Sequence, residues 1–112
     1  MQPDEIPPTD QHQPSDVIPE PLTRSAAEQL AGALKAVADP TRLQLLSLII
    51  GSPAGEACVN DLIVPLGLTQ PTVSHHLKIL VDAGLLTRQK RGKWAWYAVV
   101  PERLDGLRGL IA

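Results

Sequence analysis

Apolar residues recur at helical spacing through most of this chain and switch to alternation near its end. Leu30, Leu34 and Val37 follow the capping box Ser25-Ala26-Ala27-Glu28 and predict a first helix over residues 26–38. Asp39-Pro40 is a second cap with proline at the first helical position. Leu43, Leu45, Leu46, Leu48, Ile49 and Ile50 then make the second helix apolar around much of its circumference and place it centrally in the core. Gly51-Ser52-Pro53-Ala54-Gly55 reads as a loop, and residues 59–66 as a short third helix before Gly67. Pro65 argues for an earlier stop, near Val64, because an interior proline removes a backbone hydrogen bond.

The fourth helix, over residues 70–83, carries the strongest signals. Thr69 caps it, Pro71 lies in its first turn, and Gly84 falls where a helix end takes a left-handed residue. Val73, Leu77 and Leu80 form one buried stripe, leaving Gln70, Thr72, Ser74, His75 and Lys78 outward. A face of amides, hydroxyls and one base suits base edges and phosphates better than it suits plain solvation. After it, residues 85–87 and 94–100 alternate as two strands around Arg88-Gln89-Lys90-Arg91-Gly92-Lys93, a hairpin with a basic tip. Pro101 ends the second strand, and Leu104, Leu107, Leu110 and Ile111 give a last short helix over residues 102–112. The fold class is mainly α with a small β-hairpin, an α+β winged helix-turn-helix. The first and last helices keep apolar faces that so small a domain cannot cover, so a homodimer through those two helices is expected.

Composition changes this picture at one place. Residues 1–22 hold five of the 12 acids, six of the 11 prolines and no Lys or Arg, and read as a disordered acidic tail. The whole chain has a net charge of −2, but residues 23–112 keep seven acids against all 10 bases. The expected DNA-binding and dimerisation domain, residues 23–112, is therefore mildly basic. No apolar run nears the ~20 residues of a membrane span, the start lacks a secretion signal, and the single cysteine, Cys58, forms no internal disulfide. A cytoplasmic protein without a membrane partner is expected.

Ala36-Val37-Ala38-Asp39-Pro40-Thr41-Arg42-Leu43, the Leu68-Thr69-Gln70-Pro71-Thr72-Val73-Ser74-His75-His76-Leu77 helix entry and Ala83-Gly84-Leu85-Leu86 resemble, in that order, the ArsR/SmtB family of metal- and metalloid-responsive repressors. The resemblance covers about residues 24–111 and implies a dimeric repressor that leaves its operator when an inducer binds. The residues give the mechanism directly. A helix of ~14 residues is ~21 Å long and enters a major groove with its first turn nearest the bases. Gln70, Thr72, Ser74 and His75 are the expected base readers and Lys78 a phosphate contact, while Arg88, Lys90, Arg91 and Lys93 on the wing add salt-sensitive backbone contacts. Two-fold symmetry predicts an inverted-repeat operator in double-stranded DNA.

Several plainer readings stand beside these. His75 and His76 point about 100° apart on a helix and do not converge on one ion, so His76 reads as a partly buried structural residue. The basic tip alone equally fits a solvated turn; beside the fourth helix it fits DNA better. Trp94, Trp96 and Tyr97 read as hairpin packing rather than a base-stacking platform. The sequence shows no nucleophile with its base and no phosphate-cradling loop, so no enzyme is expected, and the rival function is a winged-helix interaction module without DNA binding.

The inducer is the open point. By the resemblance, the family's Glu-Leu-Cys-Val-Cys-Asp-Leu segment corresponds to Glu56-Ala57-Cys58-Val59-Asn60-Asp61-Leu62, in which Cys58 matches and Asn60 does not. Trivalent arsenic prefers three thiolates, and a dimer of this chain supplies two. The last helix, where relatives place His and carboxylates, holds Glu102 and Asp105 but no histidine; by the resemblance Asp10 and His12 of the tail can fold over to join Cys58, beside the plainer reading of a mobile acidic tail. Cys58 remains a packed residue, a thiol switch or one ligand of an unusual metal site, and the cofactor is unknown.

Overall fold

The computed structural model describes residues 21–111, so the expected tail, apart from Pro21 and Leu22, and Asp10 and His12 with it, lies outside the described residues. The first helix, α1 (Arg24–Val37), starts earlier than the capping box predicted. Thr23, not Ser25, is its cap and accepts the Ala26 amide at 3.1 Å, while Glu28 instead meets Arg24 Nε at 3.1 Å on the exposed side. Two neighbouring hydroxyls can each cap; the earlier one wins because it adds two helical residues and that pair. Next comes α2 (Pro40–Ile50), capped by Asp39, whose carboxylate accepts the Arg42 amide at 3.0 Å. Leu45, Leu46 and Ile49 are buried, but Leu43 and Ile50 remain 52% and 53% exposed. The second helix is thus central on one side only.

A 3₁₀ turn at Pro53–Gly55 leads into β1 (Glu56–Cys58), a strand the sequence reading lacked. It runs into α3 (Val59–Leu66), which continues through Pro65 to Leu66 rather than stopping at Val64. In so short a helix Pro65 costs one backbone bond, and Gly67, left-handed at φ 65°, restores the end by donating to Ile63 and Val64. Then α4 (Gln70–Asp82) forms with Thr69 as cap and Val73, Leu77 and Leu80 fully buried, as the stripe predicted. Gly84 turns the chain at φ 80°, with the Arg103 guanidinium packed where a Cβ would otherwise stand.

The wing strands are β2 (Leu86–Arg91) and β3 (Trp94–Val99), and α5 (Pro101–Ile111) closes the described chain. The sheet is antiparallel in the order β1-β3-β2, so the expected hairpin is extended to three strands. Two residues, Gly92 and Lys93, make the turn, and Arg91 pairs with Trp94 across it. The core joins α1, α2, α3, α4 and the sheet through Ala33, Leu45, Ile49, Leu62, Leu77 and Tyr97. Among the described residues no helix is long and apolar enough to cross a membrane.

Candidate nucleic-acid interface

The exposed side of α4 follows from its buried stripe. Gln70, Thr72, His75 and Lys78 are exposed, and Ser74 is half-buried on the flank that faces the wing. Thr69 accepts the Thr72 amide and donates to the Thr72 hydroxyl at 3.0 Å, which leaves the Thr72 proton to donate outward. Lys78 Nζ meets Asp82 at 2.8 Å, a pair so exposed on both sides that phosphate can replace the carboxylate at little cost. Ser74, Lys78, Asp82, Arg88 and Tyr97 line a cleft of about 410 Å³ between α4 and the wing.

Strand alternation divides the wing cations, which a tip read as one basic cluster does not show. The register Arg88↔Tyr97 and Lys90↔Ala95 puts Arg88 and Lys90 on the sheet face that carries buried Leu86 and Tyr97, and Arg88 Nε donates to the Tyr97 hydroxyl at 3.3 Å. Arg91 and Gln89 lie on the other face with Trp94 and Trp96. Arg91 Nη1 and Nη2 donate to the two Glu56 oxygens at 3.1 and 2.8 Å, and Nε and Nη2 donate to Gln89 Oε1 at 3.1 and 2.9 Å. The guanidinium also sits 5.1 Å over the Trp96 ring. The hydrogen bonds from Arg91 hold the Glu56 carboxyl below its usual range, and Glu56 in turn raises Arg91. Lys93 Nζ lies 5.9 Å from the centre of the Trp94 ring, which is 42% exposed. Tyr97 is therefore the aromatic of the core, while the two tryptophans pack against wing cations on the outer face.

The Asp39-Pro40-Thr41-Arg42 turn locks α4 from behind. Arg42 Nε donates to the Ala36 carbonyl at 2.5 Å, and its Nη1 lies 3.2 Å from His76 Nδ1. A guanidinium only donates, so that ring nitrogen is the acceptor, and His76 is a half-buried tie between α2 and α4. His75 faces outward, its ring tilted 60° to that of His76 at 5.7 Å. The hydrogen bond from the Arg42 amide, the largest effect, and then the Arg42 charge hold the Asp39 carboxyl below its ordinary value, with desolvation opposing them. A depressed folded-state pKa contributes stability above the unfolded value and loses it as pH falls through the folded one. Wild type should therefore exceed Asp39→Ala in urea midpoint at neutral pH, the gap closing as pH drops below about 4; a gap constant from pH 7 to pH 3 would refute this.

Cys58 is buried at the N-cap position of α3, makes no capping bond there, and lies opposite Trp96 in the β1–β3 register. Among the described residues no group of three His, Cys, Asp or Glu side chains is placed to hold a metal ion. Glu56, Gln89 and the Tyr97 hydroxyl are the residues sequence reasoning missed. Strict alternation along residues 86–91 was available to separate Arg91 from Arg88 and Lys90, but Glu56 lies 35 positions from Arg91 on an unrecognised strand.

The same helix-and-wing arrangement occurs in known regulators. The model of the bacterial regulatory protein, arsR family, matches residues 39–88, from the Asp39 cap into the wing. The chain is 41% identical over 78 residues to the arsenical resistance operon repressor of Staphylococcus xylosus, covering 70% of this chain and 72% of that one. It belongs to the arsR family. An HTH-type transcriptional regulator of Methanocaldococcus jannaschii is 40% identical over 84 residues, 75% of this chain and 92% of that one. The solved AntR antimony-specific transcriptional repressor superposes with a TM-score of 0.68 at 30% identity, covering 89% of this chain and 90% of that one. This arsR-family chain is a DNA-binding transcriptional repressor with a winged helix-turn-helix fold.

Proposed function

We propose that this repressor binds an inverted-repeat operator as a homodimer in the cytoplasm, and that an inducer of the metal, metalloid or thiol-reactive class releases it. The observation that carries the base-reading part is the exposed α4 face: Gln70, Thr72 and His75 in the open, with Ser74 and Lys78 lining the cleft toward the wing. In this reading Gln70, Thr72, Ser74 and His75 read bases, and Lys78, Arg88, Lys90 and Lys93 hold phosphates, whereas Arg91 stays with Glu56 and is available to the backbone only where that carboxylate is removed. The homodimer is supported by an uncovered apolar groove of about 540 Å³ between α1, α2 and α5. Leu34, Val37, Leu43, Ile50, Leu104 and Leu107 line it, with Leu34, Leu43 and Ile50 exposed. A second copy related by two-fold symmetry covers such a face and presents two α4 helices to successive major grooves.

The inducer class is supported by the relatives, among them arsenical resistance operon repressors and the antimony-specific AntR, and by Cys58 at the junction of β1 and α3. The test is fluorescence anisotropy on the chain's own upstream DNA, with zinc, cadmium, lead, arsenite and an oxidant added in turn, on wild type and Cys58→Ser. Two chains per operator and release that depends on Cys58 are expected. One chain per site would refute the dimer, and release that survives Cys58→Ser would move the sensor elsewhere.

A further inference from the structure

We infer that Glu56 is an internal stand-in for a DNA phosphate: it occupies the guanidinium fork of Arg91 in the free protein and holds that wing cation off the duplex. This rests on the proposed contact between the wing and the DNA backbone. The fork geometry of arginine matches a carboxylate and a phosphate equally, in each case through two parallel N–H bonds. In this structure Glu56 takes both bonds, and Gln89 accepts from Nε and from the remaining proton of Nη2. Four of the five N–H groups are thereby committed, and no fork remains for a phosphate. The other wing cations differ in kind: Arg88 Nε meets the Tyr97 hydroxyl and Lys93 lies over the Trp94 ring, and neither contact is with an anion.

The direction of the hold matters as much as its chemistry. Register sets Arg91 and Glu56 on the outer sheet face, opposite to the face of Arg88 and Lys90, so the bond to Glu56 draws the guanidinium across Trp96 toward β1. Both side chains are partly open to solvent, 44% for Arg91 and 24% for Glu56. An ion pair in that setting is exchangeable, so the carboxylate can compete with DNA without being needed to hold the sheet together. β1 already pairs with β3 through its own backbone over Glu56–Cys58.

The experiment is a salt titration of the full chain on a short labelled duplex, comparing wild type, Glu56→Gln, Arg91→Ala and the double variant. Glu56→Gln should bind several-fold tighter at low salt, on operator and random DNA alike, with a log–log salt slope steeper by about 0.9 for each chain that docks a freed Arg91. Arg91→Ala alone should stay close to wild type, and the double variant should match Arg91→Ala. Glu56→Ala removes the same acceptor by a different side chain and should repeat the gain. The inference is overturned if Glu56→Gln and Glu56→Ala bind no tighter than wild type, if their gain survives removal of Arg91, or if Arg91→Ala alone weakens binding markedly. Lys93→Ala separates the two levels of argument: unchanged affinity and slope in that variant would sink the wing contact itself, whereas a loss there with no gain in Glu56→Gln would sink only the role of Glu56.

Discussion

Replacing Gln70 and Ser74 together by Ala should cost operator binding about 30-fold or more while leaving random DNA within about threefold. A bidentate contact to the right base contributes about 1–3 kcal/mol of discrimination, and a two-fold complex makes it twice, or about 2–6 kcal/mol before Ser74 is counted. Gln70 is exposed in the first turn of α4, next to the Thr69 cap, and its truncation leaves the buried stripe of Val73, Leu77 and Leu80 intact. Ser74 is half-buried on the cleft side. Because neither change touches the core, stability should move by no more than about 0.5 kcal/mol, and a loss of binding can be assigned to the interface. Anisotropy on both DNAs, with a thermal melt alongside, measures all three. Equal losses on operator and random DNA would make Gln70 and Ser74 backbone contacts and move base reading to Thr72 and His75.

The parts of this molecule that were legible in its sequence are those specified locally. The α4 stripe repeats at helical spacing, its cap and its left-handed Gly84 lie within a few positions of its ends, and each signal agrees with the others. The Asp39 cap of α2 is equally local, and Pro40 reinforces it. What the sequence withheld depends on partners far along the chain. Three residues of β1 are too few to show a period, and the strand exists because β3 offers an edge to pair with. The commitment of Arg91 to Glu56 follows from that unrecognised strand. The start of α1 was misplaced because Thr23 and Ser25 carry the same capping chemistry two positions apart. In α2 the sequence showed an apolar surface on nearly every side but not which sides the same chain would cover, and Leu43 and Ile50 turned out to be open.

That distinction leads to the largest expected effect on stability. Leu77→Ala should lower the unfolding free energy by about 2–5 kcal/mol, because Leu77 is fully buried in the cluster with Leu45, Ile49 and Leu62 and its loss leaves a cavity as well as removing transfer free energy. Against a typical total of about 5–15 kcal/mol, a loss in the middle of its own range takes about a third of the stability. The urea midpoint should fall with little change in slope. Operator binding should fail with it near the new midpoint, since Leu77 sits on the inner side of the helix whose outer side reads DNA. Leu43→Ala is the informative contrast. In an isolated chain Leu43 is 52% exposed, and truncating it should cost a fraction of the Leu77 effect at any protein concentration. In the proposed dimer the same side chain lies under the second copy, so its truncation should lower the midpoint and steepen its dependence on protein concentration. A Leu43→Ala midpoint that tracks wild type at every concentration would place the dimer contact away from the α1–α2–α5 groove. A concentration-dependent loss in Leu43→Ala beside a loss in Leu77→Ala that persists at every concentration would separate the core that folds the chain from the face that pairs it.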